Sequence, residues 1–169
     1  YNNRWGASIS SRWGWLIMET PVFVIMLIIY LNSLLTGVKP FNIVTFIFLL
    51  IFQTHYLQRS FIFPALMKGQ SRMPLSIMFA GIFFNASNAF IQGGWLFMFA
   101  PANAYPISWF WSPQFIIGCV LFFIGMVINI KSDRIIRKLR KSRDDNNYYL
   151  PQGFLFKYIN SSNYFGEII

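Results

Sequence analysis

Long apolar runs separated by short polar or charged stretches dominate the chain, and none shows the sustained alternation of a strand. Four runs are long enough, or nearly so, to cross about 30 Å of hydrocarbon at about 1.5 Å per helical residue. The first is expected from Trp13 to Leu35, with Pro21 interrupting it early. The second runs from Phe41 to Gln58, between the turn Gly37-Val38-Lys39-Pro40 and Arg59. From Met73 to Ile130 no Lys, Arg, Asp or Glu occurs, a stretch too long for one crossing. The segment Pro101 to Pro106 divides it into a third span, Pro74–Ala100, and a fourth, Ile107–Ile130. Beyond it Lys131–Arg143 continues as a basic helix with Ile135, Ile136 and Leu139 on one side. A polar turn, Asp144–Asn147, and a short loop, Tyr148–Phe156, follow. The pattern predicts an all-α, polytopic transmembrane helical bundle of about four spans, a single membrane domain over residues 1–169 without internal repeats.

Composition agrees. Of 169 residues 56% are hydrophobic, 20% aromatic and only 11% charged, under half of the roughly 25% charge share of soluble domains. An ordinary soluble domain and a disordered chain are excluded. Cys119 is the single cysteine and His55 the single histidine, so neither an intrachain disulfide nor a Cys- or His-based metal site is expected. The chain starts at Tyr1-Asn2-Asn3-Arg4 without an initiator Met and ends at Ile168-Ile169 with apolar character rising, the expected look of a fragment cut at both ends.

Charge placement orients the spans. The net charge of +9 comes from 14 basic and 5 acidic residues. With four spans, Arg4, Arg12, Arg59, Lys68, Arg72 and every basic residue from Lys131 to Arg143 share one side, and Lys39 stands alone on the other. That asymmetry assigns the basic loops to the cytoplasm. Trp5, Trp13 and Trp15 suit the aromatic belt there. Membrane lipid, not nucleic acid, is the expected partner of the basic tail, at about 1 kcal/mol per basic residue near an anionic surface. An anionic cofactor is the other reading of the same charges.

Polar side chains inside the apolar runs mark candidate chemistry, because ionisable groups in hydrocarbon are costly unless paired or wet. Glu19 falls about 9 Å along the first span from Trp13. It is either a buried neutral acid able to donate a hydrogen bond or a partly wet carboxylate beside the break at Pro21. The second span ends in Gln53-Thr54-His55-Tyr56-Leu57-Gln58-Arg59, which reads either as a site with a buried phenol or as an interfacial aromatic and arginine cluster. Asn85, Asn88 and Gln92 share one stripe of the third span, as glue between helices or as the lining of a polar cavity. Neither GxGxxG nor GxxxxGK[ST] is present, so the common soluble phosphate cradles are excluded.

Several ordered motifs resemble the steroid 5α-reductase (3-oxo-5α-steroid 4-dehydrogenase) family. Trp15-Leu16-Ile17-Met18-Glu19-Thr20-Pro21 is similar to its W-[FL]-x-[QM]-E-[SLT]-P stretch, and His55-Tyr56-Leu57-Gln58-Arg59-Ser60-Phe61 to HY-x-x-R-[ST]-[FY]. Asn88-Ala89-Phe90-Ile91-Gln92-Gly93 follows N-x-x-x-Q-G. Gly125 to Asp133, Leu139-Arg140-Lys141, Leu150-Pro151-Gln152-Gly153 and Asn163-Tyr164-Phe165-Gly166-Glu167 complete the likeness. It covers nearly the whole chain, with the family's C-terminal-type domain over roughly residues 20–169 and its first and last spans missing.

The resemblance implies an oxidoreductase that uses NADPH to reduce the C4–C5 double bond of a 3-oxo-Δ4-steroid, hydride reaching the β-carbon of the enone and a proton the α-carbon. By positional match Glu19 and Tyr56 are the catalytic groups that hydrogen-bond the ketone, and Trp15 walls the substrate pocket. Arg59, Asn129, Asp133, Arg140, Tyr148, Asn163 and Glu167 match residues around the NADPH cofactor, with no metal. The segment Lys68–Arg72 is longer than the family's basic loop, which leaves open whether Arg72 replaces a cofactor-binding Arg. Other readings are a reductase of another lipophilic enone, enal or enoyl thioester, or a non-catalytic sterol-binding membrane protein. The expected location is a multi-pass integral membrane protein, in the endoplasmic reticulum of a eukaryote or the inner membrane of a bacterium.

Overall fold

The computed structural model describes residues 6–140, 142, 145, 147 and 149–169. The fold is all-α apart from one short ribbon, and it divides into two compact units: Tyr1–Leu66 with Ser71–Ser108, and Met67–Gln70 with Trp109–Ile169.

The first unit begins with β1 (Ser8–Ser10), which leads into α1 (Ser11–Leu35). After α2 (Ile43–Leu57) come a π-helical stretch, Gln58–Ile62, and the short α3 (Phe63–Leu66). Then β2 (Arg72–Pro74) leads into α4 (Leu75–Gly94), which ends in a second π-helical stretch, Trp95–Phe99. β1 and β2 pair antiparallel with Ile9 opposite Met73. Arg72 clamps the ribbon, its guanidinium donating to Ser8 Oγ at 2.9 Å and to the Ser8 carbonyl at 2.6 Å. Arg72 is thereby a structural residue of this ribbon.

Since α1 leaves β1 and α4 leaves β2, both long helices start at the ribbon and run parallel. Asn85 Nδ2 donates to the Met18 carbonyl (2.9 Å) and, farther along, Ser33 Oγ to the Phe97 carbonyl (2.5 Å). The face of α4 turned inward carries Met78, Asn85, Ala89 and Gly93, whereas Phe83, Phe84, Phe90 and Ile91 point outward. Small and amide residues inside with phenylalanines outside is the inverse of a soluble helix. It is what lipid selects, because burying apolar groups between helices gains nothing there and close backbone approach does. Met26, Ile29, Tyr30, Leu49 and Phe97 form the apolar centre of this unit.

Among the described residues three helical stretches are long and apolar enough to cross a membrane: Ser11–Leu35, Leu75–Phe99 and Pro113–Leu139. The expected second span is built differently. Its α2 has only 15 residues, about 22 Å of helix, and the helical path continues through the π stretch and α3 to Leu66. Asn42 caps it: Oδ1 accepts from Val44 N (2.9 Å) and Thr45 N (3.1 Å), while Nδ2 donates to the Tyr105 carbonyl (3.0 Å). Asn42→Ala is expected to cost about 1 kcal/mol for the cap alone, seen as a lower thermal midpoint of the detergent-solubilised protein.

In the second unit a 3₁₀ turn ending at Trp111 leads to α5 (Pro113–Leu139). The fourth span was expected at Ile107–Ile130; it starts six residues later because Ser112 caps the helix, accepting from Phe115 N at 3.2 Å, with Pro113 in the first turn. The basic tail is the same helix, continued to Leu139. Against it packs α6 (Ser162–Ile168), so closely that the backbones touch. A Cβ on Gly166 would lie 2.5 Å from the Gly125 carbonyl oxygen and 2.6 Å from Asn129 N.

Candidate active site

In the first unit the chemistry gathers where α1, the π stretch after α2, and α4 meet. Gln58, Arg59 and Ser60 open a π-helical stretch, and all three are buried. Ser60 Oγ donates to the Glu19 carbonyl at 2.9 Å, which fixes the π stretch to α1 at the acidic residue. Arg59 is 4% exposed and Glu19 7%; Arg59 Nε lies 3.8 Å from Glu19 Oε1. The guanidinium carbon also stands 4.4 Å from the centre of the Trp15 ring and 4.7 Å from that of Phe63. Those two rings meet edge to face at 5.4 Å. Glu19 is thus buried, the first of its two sequence readings, and not at a wet interface. A cation held by two aromatic faces lies beside it, as a buried carboxyl group requires. Arg59 in turn belongs to the unit of Glu19, engaged with it and with Trp15.

Tyr56 is the penultimate residue of α2. Its ring is packed by Phe52 (4.6 Å between centroids) and by His55 edge-on (4.9 Å). Its hydroxyl oxygen accepts from Asn88 Nδ2 at 2.8 Å, and Asn88 Oδ1 accepts from Gln92 Nε2 at 2.6 Å. The amide stripe of α4 joins helices: Asn85 fastens α4 to the Met18 carbonyl of α1 and Asn88 reaches the phenol on α2. Tyr56 and Glu19 are held in one unit through α4 and through Ser60. A small cavity of about 70 Å³ in this unit, between Tyr30, Lys39, Asn42 and Tyr105, lies about three helical turns along α1 from Glu19. It has room for water and none for a steroid.

In the second unit the sequence-predicted cofactor residues split into two groups. Asn129, Asp133 and Glu167 lie at the α5–α6 junction. Asn129 Nδ2 donates to Glu167 Oε1 (2.8 Å) and to the Asn163 carbonyl (3.1 Å), and Ser162 Oγ to Ser132 Oγ (2.8 Å). Asn129, Ser132 and Asp133 are all at most 3% exposed. These bonds lock α6 in place, and they hold Asn163 at the edge of a cavity of about 590 Å³ that Arg140, Tyr149, Asn160 and Tyr164 also line. The Arg140 guanidinium donates to the Lys68 carbonyl, and Lys68 Nζ to the Arg140 carbonyl at 3.4 Å. Arg137, one turn earlier on α5, buries Nη1 with no hydrogen-bond partner among the described residues. Tyr148 lies outside the described residues, as do Trp5, Lys141 and Arg143. The Arg140 guanidinium among the amides of Asn160 and Asn163 and the phenols of Tyr149 and Tyr164 fits an anionic dinucleotide.

The chain is 36% identical over 161 residues to the human protein called 3-oxo-5-alpha-steroid 4-dehydrogenase 1, covering 95% of this chain and 60% of that protein. It is 34% identical to the bovine protein of the same name, with 95% and 61% covered. To the tomato steroid 5-alpha-reductase DET2 it is 32% identical, with 97% and 62% covered. The chain therefore spans about 60% of the length of the curated relatives it matches. The family model described as 3-oxo-5-alpha-steroid 4-dehydrogenase matches residues 71–169, a stretch that takes in α4, α5, α6 and the cavity between Arg140 and Asn163, and by that match the chain belongs to the 3-oxo-5-alpha-steroid 4-dehydrogenase family.

Proposed function

We propose that this chain is the greater part of a membrane-embedded reductase that uses NADPH to reduce the C4–C5 double bond of 3-oxo-Δ4-steroids. The observation that carries the reading is the pairing of a phenol and a carboxyl group, Tyr56 and Glu19, in one unit built from lipid-immersed helices. When bound, NADPH supplies the hydride. Arg140 and Asn163 are the residues to hold it, the arginine at its phosphates and Asn163 as a hydrogen-bonding group. A cation such as Arg140 favours NADPH over NADH, since the further phosphate needs a positive partner.

The enone oxygen gains negative charge as the β-carbon is reduced. Tyr56 donates a hydrogen bond to that oxygen, and Glu19, its carboxyl held in place by Arg59, is the second group at the ketone. Donors fixed beforehand, in a site from which lipid and packed rings exclude water, lower the barrier because they need no reorganisation as charge develops. Trp15, pinned between Arg59 and Phe63, forms a rigid apolar wall on which a flat steroid ring system can lie.

The test is dinucleotide oxidation by membranes containing the full-length protein, with testosterone or progesterone offered. Steroid-dependent oxidation of NADPH, with the 5α-reduced steroid as product, supports the reading. Turnover of a polyprenal or an enoyl thioester, with none of either steroid, would replace it by reduction of another lipophilic acceptor. Arg140→Ala is expected to raise the KM for NADPH about tenfold or more, one charge-assisted contact being worth roughly 1.5–3 kcal/mol, with steroid KM little changed. An unchanged NADPH KM would remove Arg140 from the cofactor site.

A further inference from the structure

We infer that Asn88 is a positioning residue for Tyr56, setting the direction in which the phenol donates its single proton. The inference rests on the proposed role of Tyr56 at the substrate ketone and names the group that prepares it for that role. A phenol has one O–H to give and lone pairs to accept. Asn88 Nδ2 stands 2.8 Å from the Tyr56 oxygen as a donor, so the lone pair facing α4 is occupied and the phenolic proton is directed to an acceptor other than Nδ2. Which end of Asn88 faces the phenol is set one turn on. Gln92 Nε2 donates to Asn88 Oδ1 at 2.6 Å, so the oxygen of the amide is taken and the nitrogen is left for Tyr56.

The ring itself is held. Phe52 lies against it at 4.6 Å, tilted 41°, and His55 meets it at 88° and 4.9 Å. With the ring plane fixed and one lone pair filled, the O–H has few remaining directions. A hydrogen bond received at the oxygen also polarises the O–H, which makes it a stronger donor as charge grows on its acceptor. An acceptor in place of Nδ2 would do the reverse and draw the proton toward α4.

The experiment is a double-mutant cycle in the full-length protein in membranes, read as steroid-dependent oxidation of NADPH. Asn88→Leu, near in size and apolar, is expected to lower kcat roughly tenfold, the value of one neutral hydrogen bond, with the KM for NADPH unchanged. In a Tyr56→Phe background the same substitution is expected to have no further effect, because the oxygen it acts through is gone. Asn88→Asp, acceptor-only when ionised, is expected to reduce kcat further than Asn88→Leu, and likewise to lose that effect in the Tyr56→Phe background. Slowing by Asn88→Leu of equal factor in both backgrounds, or none in the native protein, overturns the inference while leaving the role of Tyr56 standing. Normal turnover in Tyr56→Phe alone overturns the proposed role of Tyr56 and this inference with it.

Discussion

Replacing Tyr56 by Phe is expected to lower kcat for a 3-oxo-Δ4-steroid by roughly 10²-fold or more, the scale for one lost oxyanion donor. The substitution removes one oxygen and leaves the ring, so the contacts with Phe52 and His55 persist. Steroid KM should change far less than kcat, since the bond strengthens only as charge develops. Glu19→Gln belongs with it and is expected to have an effect of the same order. Gln keeps an amide donor and the size of the side chain but loses the charge facing Arg59. A buried guanidinium 4% exposed is then left without its carboxylate, a change that costs stability as well as rate. Comparing turnover per folded protein in the two variants separates these terms. Native turnover in either variant would sink that residue's role.

Gly166→Ala is the second large effect. The added Cβ would meet backbone on both sides, the Gly125 carbonyl oxygen at 2.5 Å and Asn129 N at 2.6 Å. Backbone does not swing aside as a methionine tail does, so α6 must move off α5. Overpacking of this kind costs about 1–3 kcal/mol. The displacement strains the bonds from Asn129 to Glu167 and to the Asn163 carbonyl, and Asn163 lines the cavity assigned to the cofactor. The expected outcome is a lower thermal midpoint of the full-length protein together with a raised KM for NADPH. Gly118→Ala is the control. That position lies on the same α5 with nothing within 4 Å of its built Cβ, and alanine there is expected to be neutral or slightly stabilising. A native midpoint and KM in Gly166→Ala would show that the helices can separate without consequence for the cavity.

Much of this was legible in the chain itself. A charge-free stretch from Met73 to Ile130 and the placement of 14 basic residues suffice to predict helices in lipid, because an unpaired backbone group in hydrocarbon leaves helices or closed barrels as the only solutions. Pro101 and Pro106 marked the break between the last two spans. The motifs around Glu19, Tyr56 and Asn163 pointed to the family before any geometry was known. The start of α5 was also written in the sequence, as Ser112-Pro113, a cap followed by a proline, and was overlooked in favour of the hydropathy edge at Ile107.

Other features needed the tertiary structure. Nothing in the order of residues shows that the helix after Tyr56 widens into a π stretch, or that packing buries Gln58, Arg59 and Ser60 together. From spacing alone Arg59 reads as part of the cluster ending the second span, and only the resemblance sets it at the cofactor; packing sets it against Trp15 and Phe63, beside Glu19. The stripe of Asn85, Asn88 and Gln92 is visible as a pattern, yet its division between a bond to the Met18 carbonyl and a bond to the Tyr56 hydroxyl depends on which residues α1 and α2 bring opposite each amide. Sequence thus determines which segments enter lipid and which polar groups go with them, since that is a one-dimensional balance of hydropathy against length. The partner of each polar group depends on residues distant in the chain meeting at a particular register, and that is decided only when the helices pack.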